Sequence, residues 1–240
     1  MRSLKALITA IALLPAGSAA AHTDGGTAAQ VLHLIYLHGQ IVQLQQDARP
    51  EHPRFGHYEL KKILTALDEA GFSVSAAIRP RETTIDQAAE QLVTEVRTLI
   101  DSGVPPQQIL VVGASMGGAI ALSAAARLQQ PALRLAVLGV CPSRFAKRLA
   151  AAGKGSISGR ILAIREASDE MTASCPSWTV ESAQTDHLVV REIILHTGLH
   201  HGFLFKPLPE WVEPVSAWGH ATSESGSCHQ AHEEPGGHRR

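Results

Sequence analysis

A short apolar run at residues 109–112 enters the turn Gly113-Ala114-Ser115-Met116-Gly117-Gly118, and a small-residue segment at 119–128 leaves it. No other feature of the chain restricts its fold as much. A wholly apolar run of this length reads as a strand buried on both faces, as in a parallel sheet. A helix of small residues after it can pack closely on that sheet. G-x-S-x-G between strand and helix is a turn tight enough to strain the central residue, and Gly113 and Gly117 remove side chains that would clash around it. Ser115 Oγ is thereby pushed out over the sheet, at a helix N-terminus where free N–H groups and the helix dipole favour negative charge.

The same strand-then-helix alternation extends on both sides. Residues 31–37 (VLHLIYL) are rich in β-formers and run into His38-Gly39. Residues 58–70 place Leu60, Ile63, Leu64 and Leu67 at amphipathic-helix spacing, closed by Gly71. A strand is predicted over 72–78, ended by Arg79-Pro80, and a helix over 84–100 through Ala88, Leu92, Val96 and Leu99. Further strands are expected at 133–140, 160–164 and 192–196, with a last helix at 209–218. The pattern predicts an α/β fold: a mostly parallel sheet flanked by helices on both faces, with right-handed crossovers. Ligands in such folds sit outside the carboxyl ends of the strands, so the strand ends are the places to search.

Composition narrows the rest. With 240 residues, 45% of them hydrophobic, the chain suits one domain and is too apolar for disorder. A net charge of −1 gives no field that would recruit nucleic acid or an anionic membrane. Three cysteines without a C-x-x-C pair support neither a zinc site nor a thioredoxin motif. Arg2 and Lys5, a nine-residue run at 6–14 that is apolar except for Thr9, a break at Pro15 and the small residues Ala19-Ala20-Ala21 lay out a secretory signal peptide over 1–21. That run is too short to span a bilayer, and no other stretch is long enough. Export to a periplasm or the medium is expected, with the domain at 22–219. Residues 220–240, rich in Gly, Ser, Glu and His, are expected to be a disordered tail.

The strand ends carry a set of groups suited to acyl transfer. A serine hydroxyl needs a base to take its proton and a third group to orient that base. After the strand near 164 comes Arg165-Glu166-Ala167-Ser168-Asp169-Glu170, in which Asp169 falls in the loop where an acid is expected. Glu166 is still aligned with the strand and Glu170 lies one residue late. After the last strand comes His196-Thr197-Gly198-Leu199-His200-His201-Gly202. His196 reads as a packed strand residue. His201, before Gly202, is the preferred base and His200 its competitor. Oxyanion donors are expected from the N–H of Met116 and from the turn His38-Gly39-Gln40, with Gln40 first and Ile41 second.

Together, HG after an early strand, GASMGG at the elbow, SDE after a later strand and HHGF after the last make residues 31–218 resemble a small member of the α/β-hydrolase superfamily. The resemblance implies a Ser115-Asp169-His201 triad, acyl-enzyme chemistry on a small-molecule ester or thioester, and no cofactor. The short spacing between 140 and 161 implies that the lid of many relatives is absent or reduced to one helix. A peptidase or acyltransferase on the same triad, and a binding protein that has lost catalysis, are the alternatives. Oligomeric state is not legible.

Two further readings concern the rim. Residues 40–57 form a long polar connection read as a substrate-facing flap. His38, Gly39, Arg54 and Arg79 are rim candidates, with Arg54 and Arg79 able to favour an acidic acyl group unless acidic neighbours pair them. Cys141 and Cys175 both fall at the carboxyl edge, where an exported protein can join them in a disulfide that pins the acid loop; two separate buried thiols are the alternative.

Overall fold

The computed structural model describes residues 31–176, 184–185 and 187–221. The expected signal peptide and the tail beyond 221 lie outside these residues. The chain runs β1 (Leu32–Leu37), α1 (Gln40–Gln45), β2 (Glu51–His52), β3 (Gly56–His57), α2 (Leu60–Glu69), β4 (Phe72–Ala76), α3 (Ile85–Asp101), β5 (Ile109–Ala114), α4 (Met116–Leu128), β6 (Arg134–Leu138), α5 (Pro142–Ala151), β7 (Gly159–Glu166), β8 (Gln184–Thr185), β9 (Leu188–Leu195) and α6 (Pro209–His220).

Among the described residues one sheet has seven strands in the order β4-β1-β5-β6-β7-β9-β8. Its first six strands pair in parallel and β8 pairs antiparallel with β9. This is the expected α/β architecture. Because side chains alternate across a strand, neighbouring residues serve different cores. Ile35, Val111, Val137 and Ile161 pack with α3, α4 and Leu149 of α5 on one face. Leu34, Leu110, Val112 and Leu162 pack with α2, Val42 of α1 and Trp211 of α6 on the other. β5 lies at the centre with all six residues buried, as its unbroken apolar sequence requires.

The chain leaves β1 for β4 on one side and returns to β5 on the other. The carboxyl ends of β1 and β5 therefore flank the switch point where α/β sheets open a crevice. His38-Gly39 and Ser115 follow those two ends.

The fold refines one expectation and corrects another. Residues 40–57 do face the cleft, through Gln40, Ile41, His52, Arg54 and Phe55, but α1 and the β2–β3 hairpin organise them, the hairpin pairing Glu51 with His57. His220 does not belong to the tail but ends α6. Its Nε2 lies 2.9 Å from the Ala70 carbonyl and its ring 4.8 Å from that of Phe72. Between β6 and β7 the only helix among the described residues is α5, so no lid domain stands there.

Candidate active site

Ser115 begins α4 with φ 52° and ψ −114°, a conformation that side-chain-bearing residues rarely adopt and that costs about 1–3 kcal/mol. Close packing enforces it. A Cβ on Gly117 would lie 2.0 Å from the Leu37 carbonyl oxygen, and one on Gly113 would lie 2.5 Å from the backbone of Gly117. Both glycines are thus fixed by contact with backbone, which has no room to give. Met116 is the first residue of α4 and Gln40 the first of α1. N–H groups at such positions have no acceptor within their own helix. Gly39 brings the two turns together, since a Cβ there would lie 3.8 Å from that of Ser115.

His201 sits in a 3₁₀ turn over residues 200–205 and bridges the other two groups. Its Nδ1 is 2.7 Å from Asp169 Oδ2 and its Nε2 is 3.0 Å from Ser115 Oγ. The carboxylate fixes the tautomer: Nδ1–H donates to Asp169, leaving Nε2 to accept from the serine hydroxyl. Gly139, at φ 62° after β6, makes room for the ring, because a Cβ there would come within 3.1 Å of His201 Cε1. Asp169 is buried and also accepts from the Met171 N–H and the Thr172 hydroxyl, each at 3.1 Å. Burial pushes its carboxyl up, but the bond and charge of His201 and these two donors outweigh that and hold it below the usual range. This relay is the arrangement that can turn a hydroxyl into a nucleophile.

The competing residues have other partners. Glu166 ends β7, buried, and its carboxylate accepts from Thr197 N–H at 2.9 Å, Thr197 Oγ1 at 2.7 Å and Ser168 Oγ at 3.1 Å. Burial raises its pKa, and these donors lower it further than burial raises it. Glu166 thus ties the acid loop to the loop after β9. His200, at φ 52°, lines the same cleft but is engaged with the acid loop: Nδ1–H donates to the Ser168 carbonyl at 2.6 Å and its N–H to Ser168 Oγ at 3.1 Å. Glu170 is exposed and pairs with Arg54 at 3.3 Å. His196, expected to be packed, is exposed, because β9 ends one residue earlier.

A cleft of about 370 Å³ opens over Ser115 and His201. Gly39, Gln40, Ile41 and Arg54 line it, with Phe55, Tyr58, Leu204 and Phe205 forming its apolar side. Phe205 meets Phe55 at 5.4 Å and Tyr58 at 5.2 Å, both edge to face. With aromatic residues at only 4% of the chain, this convergence is notable in a single cleft, yet Phe205 lies far along the chain from Phe55 and Tyr58, so spacing does not reveal it. Cys141 and Cys175 form a disulfide with Cα atoms 5.6 Å apart.

Two rim candidates are not at the rim. His38 and Arg79 are 1% and 7% exposed and bond to one another beneath the β1–α1 turn. The reason is local: β4 ends at Ala76, the chain stays exposed over 76–78, and the Arg79 side chain folds back to donate to the His38 carbonyl and Gln43 Oε1. Burial and the Arg79 charge push the His38 pKa down to about 4 against the pull of the Gly39 and Ala77 carbonyls. Burial likewise lowers Arg79 to about 10, against the pull of Tyr58 and Tyr36.

The switch-point crevice, the strained serine after a central strand and the strand order define the α/β-hydrolase fold. A family model described as Phospholipase/Carboxylesterase matches residues 69–151, which include the elbow. A putative esterase from Staphylococcus aureus superimposes with a TM-score of 0.53 at 18% identity, over 82% of this chain and 78% of that one. Arabidopsis thaliana SOBER1 superimposes with a TM-score of 0.50 at 13% identity, over 78% and 96%. An acetyl-hydrolase from Streptomyces hygroscopicus is 29% identical over 129 residues, 52% of this chain; the match spans 38% of the relative's length. The chain thus has the α/β-hydrolase fold, shared with these solved structures.

Proposed function

We propose that the protein is an exported serine hydrolase of the esterase type, cleaving carboxylic esters or thioesters through an acyl-enzyme. The observation that carries this reading is the relay from Ser115 through His201 to buried Asp169 at the floor of an apolar cleft. Ser115 Oγ attacks the acyl carbon as its proton passes to His201 Nε2. Asp169 stabilises the imidazolium, and the N–H groups of Met116 and Gln40 receive the developing oxyanion. The imidazolium then protonates the departing alcohol or thiol. Water, deprotonated by His201, attacks the acyl-enzyme and releases the acid. The family match and the acetyl-hydrolase likeness support ester cleavage, and a cleft of this size suits a compact acyl group.

A fluorophosphonate probe is expected to label the protein and to fail on Ser115→Ala. An intact, folded protein that resists the probe would overturn the mechanism. A panel of short and long esters, thioesters and peptide amides separates esterase from peptidase. Export is tested by sequencing the N-terminus of the mature protein, expected near His22.

A further inference from the structure

The peptide bond between Gly39 and Gln40 has its two polar ends committed to different tasks. Its N–H is the oxyanion donor of the reading above, on which this inference rests. Its carbonyl lies 2.9 Å from Nδ1 of His38. The peptide is trans, so C=O and N–H point in opposite directions, and whatever holds the carbonyl also aims the N–H.

The ring of His38 is held in one state. The Arg79 backbone N–H donates to Nε2 at 3.1 Å. An imidazole that accepts at Nε2 carries its proton on Nδ1, and Nδ1–H is then a donor to the Gly39 carbonyl. The other tautomer would set a lone pair against that carbonyl and an N–H against the Arg79 N–H. Arg79 Nη2 lies 3.1 Å from Nδ1, but a protonated Nδ1 has no lone pair to offer it, and Nη2 donates instead to the His38 carbonyl at 2.6 Å. Its Nε donates to Gln43 Oε1 at 3.0 Å.

We infer that His38 and Arg79 are positioning residues of the oxyanion hole: His38 Nδ1–H anchors the Gly39 carbonyl so that the Gln40 N–H faces the cleft, and Arg79 holds His38 and α1 in that arrangement. Arg79 is an unusual choice for a packing residue. Its guanidinium is buried without an ion-paired carboxylate among the described residues, and Nη1 lacks a hydrogen-bond partner. Burying such a charge is costly. Its bonds all go to the turn and the helix that present Gln40. The same stretch is stitched to α1 twice more, by Gln43 Nε2 donating to the Arg81 and Thr83 carbonyls at 2.9 and 2.8 Å and by Gln46 Nε2 donating to the Arg79 carbonyl at 2.8 Å. A network this dense around one peptide fixes its rotation, which is the degree of freedom an oxyanion donor must not have.

The test compares His38→Asn, His38→Gln and His38→Leu with the wild-type protein, using a short p-nitrophenyl ester and a trifluoromethyl ketone as transition-state analogue. Asn places an N–H close to the Nδ1 position, whereas Gln places it near Nε2. Gln and Leu are expected to lower kcat about 10- to 100-fold, short of the about 10²–10³-fold cost of deleting an oxyanion donor outright, with KM little changed. Affinity for the ketone should fall in parallel, and Asn should recover most of both. Arg79→Met should show the same split between kcat and KM. Gln matching Asn, or kcat and ketone affinity retained in Gln and Leu, overturns the inference; this comparison survives if Leu fails to fold. A wild-type protein that neither turns over the ester nor reacts with fluorophosphonate sinks the functional reading instead, so the two failures are distinguishable.

Discussion

Cys175 is bonded to Cys141, and the bond fastens the segment that carries Asp169 to the start of α5. Cys141 is the residue before α5, just beyond β6, while Cys175 follows Asp169 by a turn closed through Thr172 and Ala173 N–H donors to the Asp169 carbonyl. Closing a loop with a sequence separation of 34 lowers the entropy of the unfolded chain by about 3–4 kcal/mol. Cys141→Ser or reduction is therefore expected to lower the melting temperature markedly and to slow fluorophosphonate labelling as the acid loop loosens. In denaturant without reductant, one thiol per chain should titrate, that of Cys228. Three thiols, or labelling unchanged by reduction, would contradict this.

Glu166 joins the two loops that present Asp169 and His201, and its removal should act on both. Glu166→Gln turns one accepting oxygen into an N–H₂ facing N–H and O–H donors of Thr197 or Ser168. Each buried donor left unpaired costs about 1–3 kcal/mol. The pH dependence has a definite sign. The folded-state pKa of Glu166 is below the ordinary value, so its contribution is present above the unfolded pKa of about 4.3 and is lost as pH falls through the lower folded one. Asp169 acts in the same direction. Melting temperatures from pH 6 down to 3 should show a shallower acid limb in Glu166→Gln than in the wild type. Parallel profiles would show that Glu166 is not held as a carboxylate.

How far this could be read in advance differs from element to element. The order of strands and helices was legible because periodicity reports which faces are buried, and β5 is buried on both. The elbow was legible because its glycines answer to backbone contacts that G-x-S-x-G encodes. In the sequence only its place before Gly202 favours His201 over His200, a thin signal. What separates the two in the structure is a 3₁₀ turn and a positive φ at His200, with the His201 ring between Asp169 and Ser115 and the His200 ring on the Ser168 carbonyl. Arg79 misled because arginine is almost never fully buried unless paired, and here backbone carbonyls and Gln43 replace the expected carboxylate. The hairpin within 40–57 was missed because its two-residue strands are too short to show alternation.

Glycines at the site divide into two kinds. Gly117→Ala sets a methyl 2.0 Å from the Leu37 carbonyl, and Gly113→Ala sets one 2.5 Å from the Gly117 backbone. Neither obstacle can rotate away, so both variants should lose more than about 4 kcal/mol or fail to accumulate as folded protein. Gly202→Ala meets the Phe55 side chain first, its ring at 2.9 Å and its Cβ at 3.3 Å. The ring can shift, so a loss of about 1–3 kcal/mol is expected, together with a raised KM because Phe55 lines the cleft. Circular dichroism melts and initial rates on a short ester separate the cases; a folded, active Gly117→Ala would refute the close-packing account.

Arg54 and Glu170 face each other at the cleft mouth, 3.3 Å apart with side chains 51% and 76% exposed. An ion pair this exposed contributes about 0–1 kcal/mol to stability, so Glu170→Ala should leave the melting temperature nearly unchanged. Its effect on selectivity should be larger. In the wild-type protein Glu170 offsets the Arg54 charge, and an ester with a carboxylate on its acyl group gains little over a neutral analogue. Without Glu170 the guanidinium, already seated 5.4 Å over the Phe55 ring, presents an uncompensated charge to the cleft. A unit charge at about 4 Å in water is worth about 1 kcal/mol. The ratio of kcat/KM for the acidic over the neutral ester should therefore rise by about fivefold at low salt. That gain should shrink as ionic strength increases. Adding Arg54→Ala to Glu170→Ala should abolish it. An equal change for both esters would show that the pair does not act on the bound acyl group.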